Sequence, residues 1–175
     1  IESFACGVPV VASRIGAKKV LITAPCKDKE VPHIVMGVNQ DDYDPGKYRV
    51  FSNASCTTNC LCPVVKVLHD EFKVERAFVS TIHAFTYTQN LLDNSNPEDF
   101  RRARATTESI IPTSTGAMQS IGRVIPDLAG KVDGMAFRVP IPTVSCIYLV
   151  AKLGRQVSVE QVNKVFVKAE KGKLK

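Results

Sequence analysis

The sequence predicts the end of a parallel α/β unit running into an α+β domain. Three features carry that expectation. Short β-branched runs alternate with a helix-period stretch through the first half of the chain. Two strand-like runs then follow one another with no helix between them, and no repeat or low-complexity tract interrupts either pattern. The 175 residues, 45% hydrophobic and 23% charged, suit one domain of ordinary size or one domain with part of another.

In chain order, KKVLITAP (18–25) and HIVMGVN (33–39) read as short buried strands, and YRVFSNAS (48–55) as a third. From Thr57 to Phe72 the apolar residues Leu61, Val64, Val65 and Leu68 fall at i, i+3, i+4 and i+7, the spacing of one helix face. Pro63 lies within the first two turns and predicts an irregular start. His69 is expected on the polar side of that helix, and His33 in a loop beside Pro32. AFVSTIHAF (77–85) reads as a strand ending in a histidine, and the polar stretch 86–112 as a long loop with one helical turn. The run from Thr113 to Gly116 opens a helix over AMQSIGRVI. Strands are expected over 134–140 and 144–153, and SVEQ from Ser158 has the form of a capping box for a final amphipathic helix.

The formal charge of +6 invites a nucleic-acid partner, but the basic residues are scattered between KK at 18–19, RRAR at 101–104 and the C-terminal KAEKGKLK. Aromatics, 7% of the chain, do not interleave with them as a single-strand binding surface requires. A positive field that draws in a small phosphorylated substrate accounts for the same charge. No apolar run approaches the ~18 residues of a membrane span, and the first residues lack the basic region of a signal peptide. Six unevenly spaced cysteines do not form a secreted disulfide framework, so a reducing, cytoplasmic setting is expected.

Three of those cysteines crowd into NASCTTNCLC (53–62). Their C-x3-C-x-C spacing finds no second Cys or His pair to complete a tetrahedral zinc site. A Cys56–Cys60 disulfide is sterically awkward along one helix face. Cys60 and Cys62 read as small buried apolar residues. Cys56 differs by position, where a strand ends and a helix begins. There the positive end of the helix dipole and unpaired N–H groups stabilise a thiolate and can also hold an oxyanion. His83, at the end of the following strand, is the candidate base, since a strand–helix–strand return can bring the two side chains together.

These residues resemble a known family. SNASCTTNCL (52–61) is similar to the active-site signature of phosphorylating glyceraldehyde-3-phosphate dehydrogenases of bacterial type. AKKVLITAP, HIVMGVNQDDYDP, STIHAFTYTQNLLD, FRRARA, SIIPTSTGA and GMAFRVP agree with it, as does the 27-residue step from Cys56 to His83. The resemblance spans residues 16 to 175. It implies a fold made of the tail of a Rossmann-like nucleotide-binding domain (1–55) followed by an incomplete catalytic domain with a mixed sheet (56–175). It implies a glycolytic, NAD-dependent enzyme in which Cys56 attacks the aldehyde of glyceraldehyde 3-phosphate. His83 eases thiolate formation and takes the hydroxyl proton as hydride leaves, and inorganic phosphate cleaves the resulting thioester to give 1,3-bisphosphoglycerate. Ser55, Thr57, Thr115 and Gly116 match positions that bind substrate or attacking phosphate. Thr86, Arg102 and Arg138 match positions that hold the substrate's own phosphate and hydroxyls, and Thr23 matches a serine that touches the cofactor. By themselves Arg102 and Arg138 read as surface arginines. The TSTGA motif favours the triose phosphate over the substrate of the related erythrose-4-phosphate dehydrogenases. The loop 86–112 resembles the family's subunit-contact loop, which implies a homotetramer for the complete protein.

The chain also departs from that family. The G-x-G-x-x-G turn is absent, as is the acidic residue that selects NAD over NADP. Residues 1–15 are similar instead to a segment of retaining nucleotide-sugar glycosyltransferases, where the residue matching Glu2 contacts the donor. The expectation is a catalytic fragment that turns over slowly or not at all by itself. The alternative is a non-catalytic remnant or interaction module that keeps a reactive thiol.

Overall fold

The computed structural model describes residues 16–97, 99–172 and Leu174; the glycosyltransferase-like segment lies outside the described residues. Two units are formed, one from residues up to Val74 with 116–130 and 153 onward, the other from 75–115 and 131–152.

In the first unit, strands β1 (Val20–Ile22) and β2 (Val50–Ser52) pair in parallel, with Ile22 opposite Ser52. The strand expected over 33–39 is not formed. Only His33 bridges to Ser52, and the chain then turns. Asn39 closes that turn, its side chain accepting from the Val35 N–H at 2.8 Å and donating to the His33 carbonyl at 2.9 Å. Gly37, at φ 79°, supplies the left-handed step a β-branched strand would not take. Ile34 and Val35 are buried nonetheless. The apolar run recorded burial, and an Asn–Gly pair of turn residues overrode the extended backbone.

Helix α1 runs from Cys56 to Phe72, with Ser55 as N-cap accepting from the Thr58 N–H at 3.0 Å. It passes Pro63 without a break, contrary to the irregular start expected. Asn59, whose carbonyl loses its partner there, is exposed, so water can replace the missing N–H. The predicted apolar face is buried through Leu61, Val65, Leu68 and Phe72. α1 packs on α2 (Ala117–Val124) and α3 (Val159–Glu170). The capping box of α3 forms as SVEQ predicts: Ser158 accepts from the Gln161 N–H, and Gln161 accepts from the Ser158 N–H.

One of the two remaining histidines differs from expectation. His69 is buried, not on a polar face, because Nδ1 accepts the Val74 N–H at 3.2 Å across the turn that ends α1. His33 is buried as well. The Cys26 N–H and the Arg123 guanidinium both direct protons at its Nε2, from 3.1 and 3.3 Å. Burial, and then the Arg123 charge, hold its pKa below the ordinary value. The unfolded chain therefore takes up a proton that the folded chain refuses as pH falls below about 6.5. Stability is complete above that pH and declines beneath it. Thermal melts should show a lower Tm at about pH 5.5 than at about pH 7.5, and His33→Gln should narrow the gap. An equal gap in both proteins would remove His33 from this account.

The second unit is a four-stranded sheet in the order β4 (Ile111–Thr113), β5 (Val132–Val139), β3 (Val74–Ala84), β6 (Ser145–Leu153). β5 is parallel to β3 and antiparallel to β4, the mixed sheet that was expected. β6 runs antiparallel to β3, since the Ala84 N–H meets the Val144 carbonyl at one end and Lys152 pairs with Glu75 at the other. Alternate residues Ala77, Val79 and Thr81 are buried along β3. The 86–112 segment contains one helical turn, Phe100–Ala103, before β4.

Candidate active site

Five of the sequence-derived site residues lie in the first unit: Thr23, Ser55, Cys56, Thr57 and Gly116. Thr23 follows β1, and the cysteine segment follows β2, so both stand at the carboxyl ends of parallel strands, where open α/β sheets bind ligands. The step from β2 into α1 is tightly fastened. Ser52 Oγ donates to the Ala24 carbonyl and accepts from the Ala54 N–H, and the Asn53 N–H donates to the Ile22 carbonyl. Ala54 itself is held in the left-handed region, at φ 60°.

Cys56 is the first residue of α1 and is exposed. Ser55 Oγ sits 2.7 Å from Thr58 Oγ1, and Asn59 Nδ2 donates to the carbonyls of Asn53 and Ser55. These bonds keep the first turn wound, with the thiol at the positive end of a 17-residue helix. Cys60 is exposed one turn on, which corrects the expectation that it is buried. It shares the Cys56 face, four residues away, and that face is not covered. Cys62 does point inward, and burial pushes its thiol up to about 12. Among the described residues no cysteine is in a disulfide, and no group of three or more His, Cys, Asp or Glu side chains could hold a metal ion. Gly116 caps the N-terminus of α2.

His83, Thr86, Arg102, Thr115 and Arg138 lie in the second unit. The sheet register sets His83 directly opposite Arg138 on β5. Arg138 Nη1 is 2.6 Å from His83 Nδ1 and 3.1 Å from the Ala84 carbonyl, which is itself 2.7 Å from Nδ1. Arg102 separates from its neighbours in the RRAR run. It is half-buried, donates to Thr113 Oγ1 at 2.9 Å and has Nε 3.6 Å from Asp99 Oδ2, while exposed Arg101 and Arg104 pair with Asp99 and Asp93. Because Thr113 lies on β4, opposite Ala136 of β5, Arg102 is anchored beside the strand that carries Arg138. Thr86 opens a turn closed by Gln89, whose Oε1 accepts from the Thr86 N–H at 2.9 Å. Thr115 is half-buried in the bend that leads to α2. Val144, at φ 68°, holds an unfavourable conformation for a β-branched residue and offers its carbonyl to the Ala84 N–H.

Three supporting groups were not legible from the sequence: the Ala84 carbonyl, the Thr113 hydroxyl that anchors Arg102, and Gln89. Thr113 stands in the TSTGA motif and could have been suspected there. The Ala84 carbonyl follows only from the sheet register.

The first unit thus offers a helix-start cysteine, a residue type suited to nucleophilic chemistry, and the second a histidine and arginines, residue types suited to an anionic ligand. Residues 55–175 match the family model described as glyceraldehyde 3-phosphate dehydrogenase, C-terminal domain. The chain belongs to that family. It is 54% identical over 160 residues to the glyceraldehyde-3-phosphate dehydrogenase of Geobacillus stearothermophilus, covering 91% of this chain and 47% of the relative. It is 51% identical over 160 residues, with the same coverage, to glyceraldehyde-3-phosphate dehydrogenase 1 of Bacillus subtilis. The Mycobacterium leprae enzyme of that name is 52% identical over 160 residues, covering 91% of this chain and 46% of the relative. The chain spans about half the length of the curated relatives it matches.

Proposed function

We propose that this chain carries the cysteine, histidine and phosphate-binding groups of a glycolytic glyceraldehyde-3-phosphate dehydrogenase. The observation that supports this best is Cys56, exposed as the first residue of α1 within the matched domain. Residues 1–55 then belong to the end of a nucleotide-binding domain and 56–175 to the N-terminal part of a catalytic domain.

In this reading the Cys56 thiolate attacks the aldehyde carbon, and the N–H groups of the first turn of α1 stabilise the oxygen that gains charge. His83 receives the proton of the thiohemiacetal hydroxyl as hydride leaves the same carbon. A nicotinamide cofactor, when bound, supplies the hydride acceptor. Thr23, exposed beyond β1, is the hydroxyl of this chain suited to touch it. A G-x-G-x-x-G turn does not occur in the sequence, and the described residues do not choose NAD over NADP. Inorganic phosphate, held by Ser55, Thr57, Thr115 and Gly116, attacks the thioester carbonyl. The acyl group departs as 1,3-bisphosphoglycerate and the thiolate returns. Thr86, Arg102 and Arg138 take the phosphate and hydroxyls of the triose, the arginines through forked, charge-assisted bonds.

The complete protein would be a cytoplasmic homotetramer. The segment 86–112 supports that, since it exposes Tyr87, Leu91, Leu92, Phe100 and Ile110. No helix among the described residues is long and apolar enough to cross a membrane.

The thiol half of the reaction can be tested without cofactor. Given 1,3-bisphosphoglycerate, the Cys56 thiolate should attack the acyl carbon and expel inorganic phosphate, leaving a phosphoglyceroyl thioester. Intact mass and peptide mapping should find one adduct, on Cys56. No adduct in a chain whose Cys56 still takes iodoacetamide would overturn the proposal, as would an adduct mainly on Cys60 or Cys146.

A further inference from the structure

We infer that Asn59 is a positioning residue for Cys56, whose side-chain amide holds Ala54 in a strained conformation and so fixes how the thiol is presented. This rests on the proposed function for the role of Cys56 as nucleophile, and on the turn between β2 and α1 for the device itself.

Ala54 stands two residues before Cys56, is buried, and lies at φ 60°. An alanine enters that region at a cost, because its Cβ crowds the neighbouring carbonyl oxygen. Such a residue stays there only where its surroundings hold it. The strand side of the turn is tied down by two bonds. The Asn53 N–H donates to the Ile22 carbonyl at 3.1 Å, and the Ala54 N–H donates to Ser52 Oγ at 3.0 Å.

Asn59 joins that side to the helix. Its backbone N–H donates to the Ser55 carbonyl at 2.9 Å, an ordinary bond of the first turn that anchors the residue in α1. Its Nδ2 donates one proton to the same carbonyl at 2.9 Å and the other to the Asn53 carbonyl at 2.6 Å. The bond to Asn53 spans Ala54, so it survives only while Ala54 keeps its left-handed turn. Asn59 is exposed, so these bonds do not rescue a buried group. What they do is link the two sides of the strained residue.

The choice of side chain is narrow. One nitrogen must donate twice, from one turn up the helix, to carbonyls on either side of Ala54. A carboxylate offers acceptors only, and a serine hydroxyl a single donor. Turned over, the amide would set Oδ1 against two carbonyl oxygens, so one orientation fits. Without this link Ala54 relaxes toward ordinary backbone, and Ser55 and Cys56 turn with it. The thiol then leaves the positive end of α1 in part of the population, and reactivity falls by that fraction.

Limiting iodoacetamide with peptide mapping measures Cys56 against Cys60, the other exposed thiol of α1. Asn59→Ala should slow labelling of Cys56 about tenfold and that of Cys60 by less than about twofold. Adding Ala54→Gly to Asn59→Ala should bring Cys56 back to within about threefold of wild type, because glycine takes φ 60° without a side-chain cost. An asparagine that merely stabilised the fold would lower Tm without singling out Cys56, and the glycine would repair nothing. Unchanged labelling of Cys56 in Asn59→Ala, or a loss that Ala54→Gly leaves in place, overturns the inference. Hydrogen exchange of the wild-type side-chain amides, followed by NMR, keeps the test independent of whether the variants fold. The Asn59 Nδ2 protons should exchange more slowly than those of exposed Asn163 on α3, and equal rates overturn the inference. Acylation of Cys56 by 1,3-bisphosphoglycerate with labelling indifferent to Asn59 would leave the proposed function standing and remove this device. A repaired loss of labelling in a chain that never acylates would do the reverse.

Discussion

Cys56→Ser leaves acylation by 1,3-bisphosphoglycerate undetectable, because a serine hydroxyl is a far weaker nucleophile than sulfur at the same helix start. His83→Asn slows the same step by about 10²–10⁴-fold, the range for loss of a positioned general base, since His83 in the proposed mechanism also eases formation of the Cys56 thiolate. Cys60→Ser is the control for reactivity by exposure alone. It removes the other exposed thiol on the same face of α1 and should change the acylation rate by less than about twofold. Quenched-flow sampling with intact-mass detection measures all three. A Cys60→Ser loss as large as that of Cys56→Ser would mean that exposure, and not the helix start, decides which thiol reacts.

Gly134→Ala is expected to be the most damaging single methyl in the second unit. Gly134 pairs with Val79 in the β5–β3 ladder, and a Cβ placed there would lie 2.3 Å from the Val79 carbonyl oxygen and 3.0 Å from its Cβ. The obstacle is backbone, so no side-chain rotation relieves it and the two central strands must part. Overpacking typically costs 1–3 kcal/mol, and a backbone collision belongs at about 3 kcal/mol or above. For a chain of this size that lowers Tm by roughly 6–12 °C. The same two strands carry His83 and Arg138 four residues further on, in register. A folded remnant of the variant should therefore lose the His83–Arg138 contact together with its stability. Circular dichroism melts check the first point, and an unchanged Tm would show that the strands yield more easily than the ladder implies.

The element order was legible because the signals that set it act over a few residues. A Ser–x–x–Gln sequence caps the helix it precedes, since the bonds run between Ser158 and Gln161 only. The i, i+3, i+4, i+7 spacing in α1 needs only the helical period to place Leu61, Val65 and Leu68 on one buried face. The position of Cys56 at the start of α1 was legible for the same reason, because a cap and a helix start are local events.

Burial and register are different, since they depend on segments distant in sequence. Nothing within HIVMGVN says that Asn39 folds back onto His33 and Val35 and stops a strand. Nothing in TTNCLCPVV says that Cys60 stays uncovered while Cys62 is sealed, or that His69 turns inward to take the Val74 N–H. Arg101, Arg102 and Arg104 are equivalent as letters, and only the return of β4 gives Arg102 the Thr113 hydroxyl. The sequence by itself determined where helices begin, which residue types the site contains, and the family to which they belong. Tertiary structure alone decided that His83 faces Arg138 and lies 2.7 Å from the Ala84 carbonyl. That arrangement is a matter of strand register, which the pairing of residues 55 apart sets and no local pattern encodes.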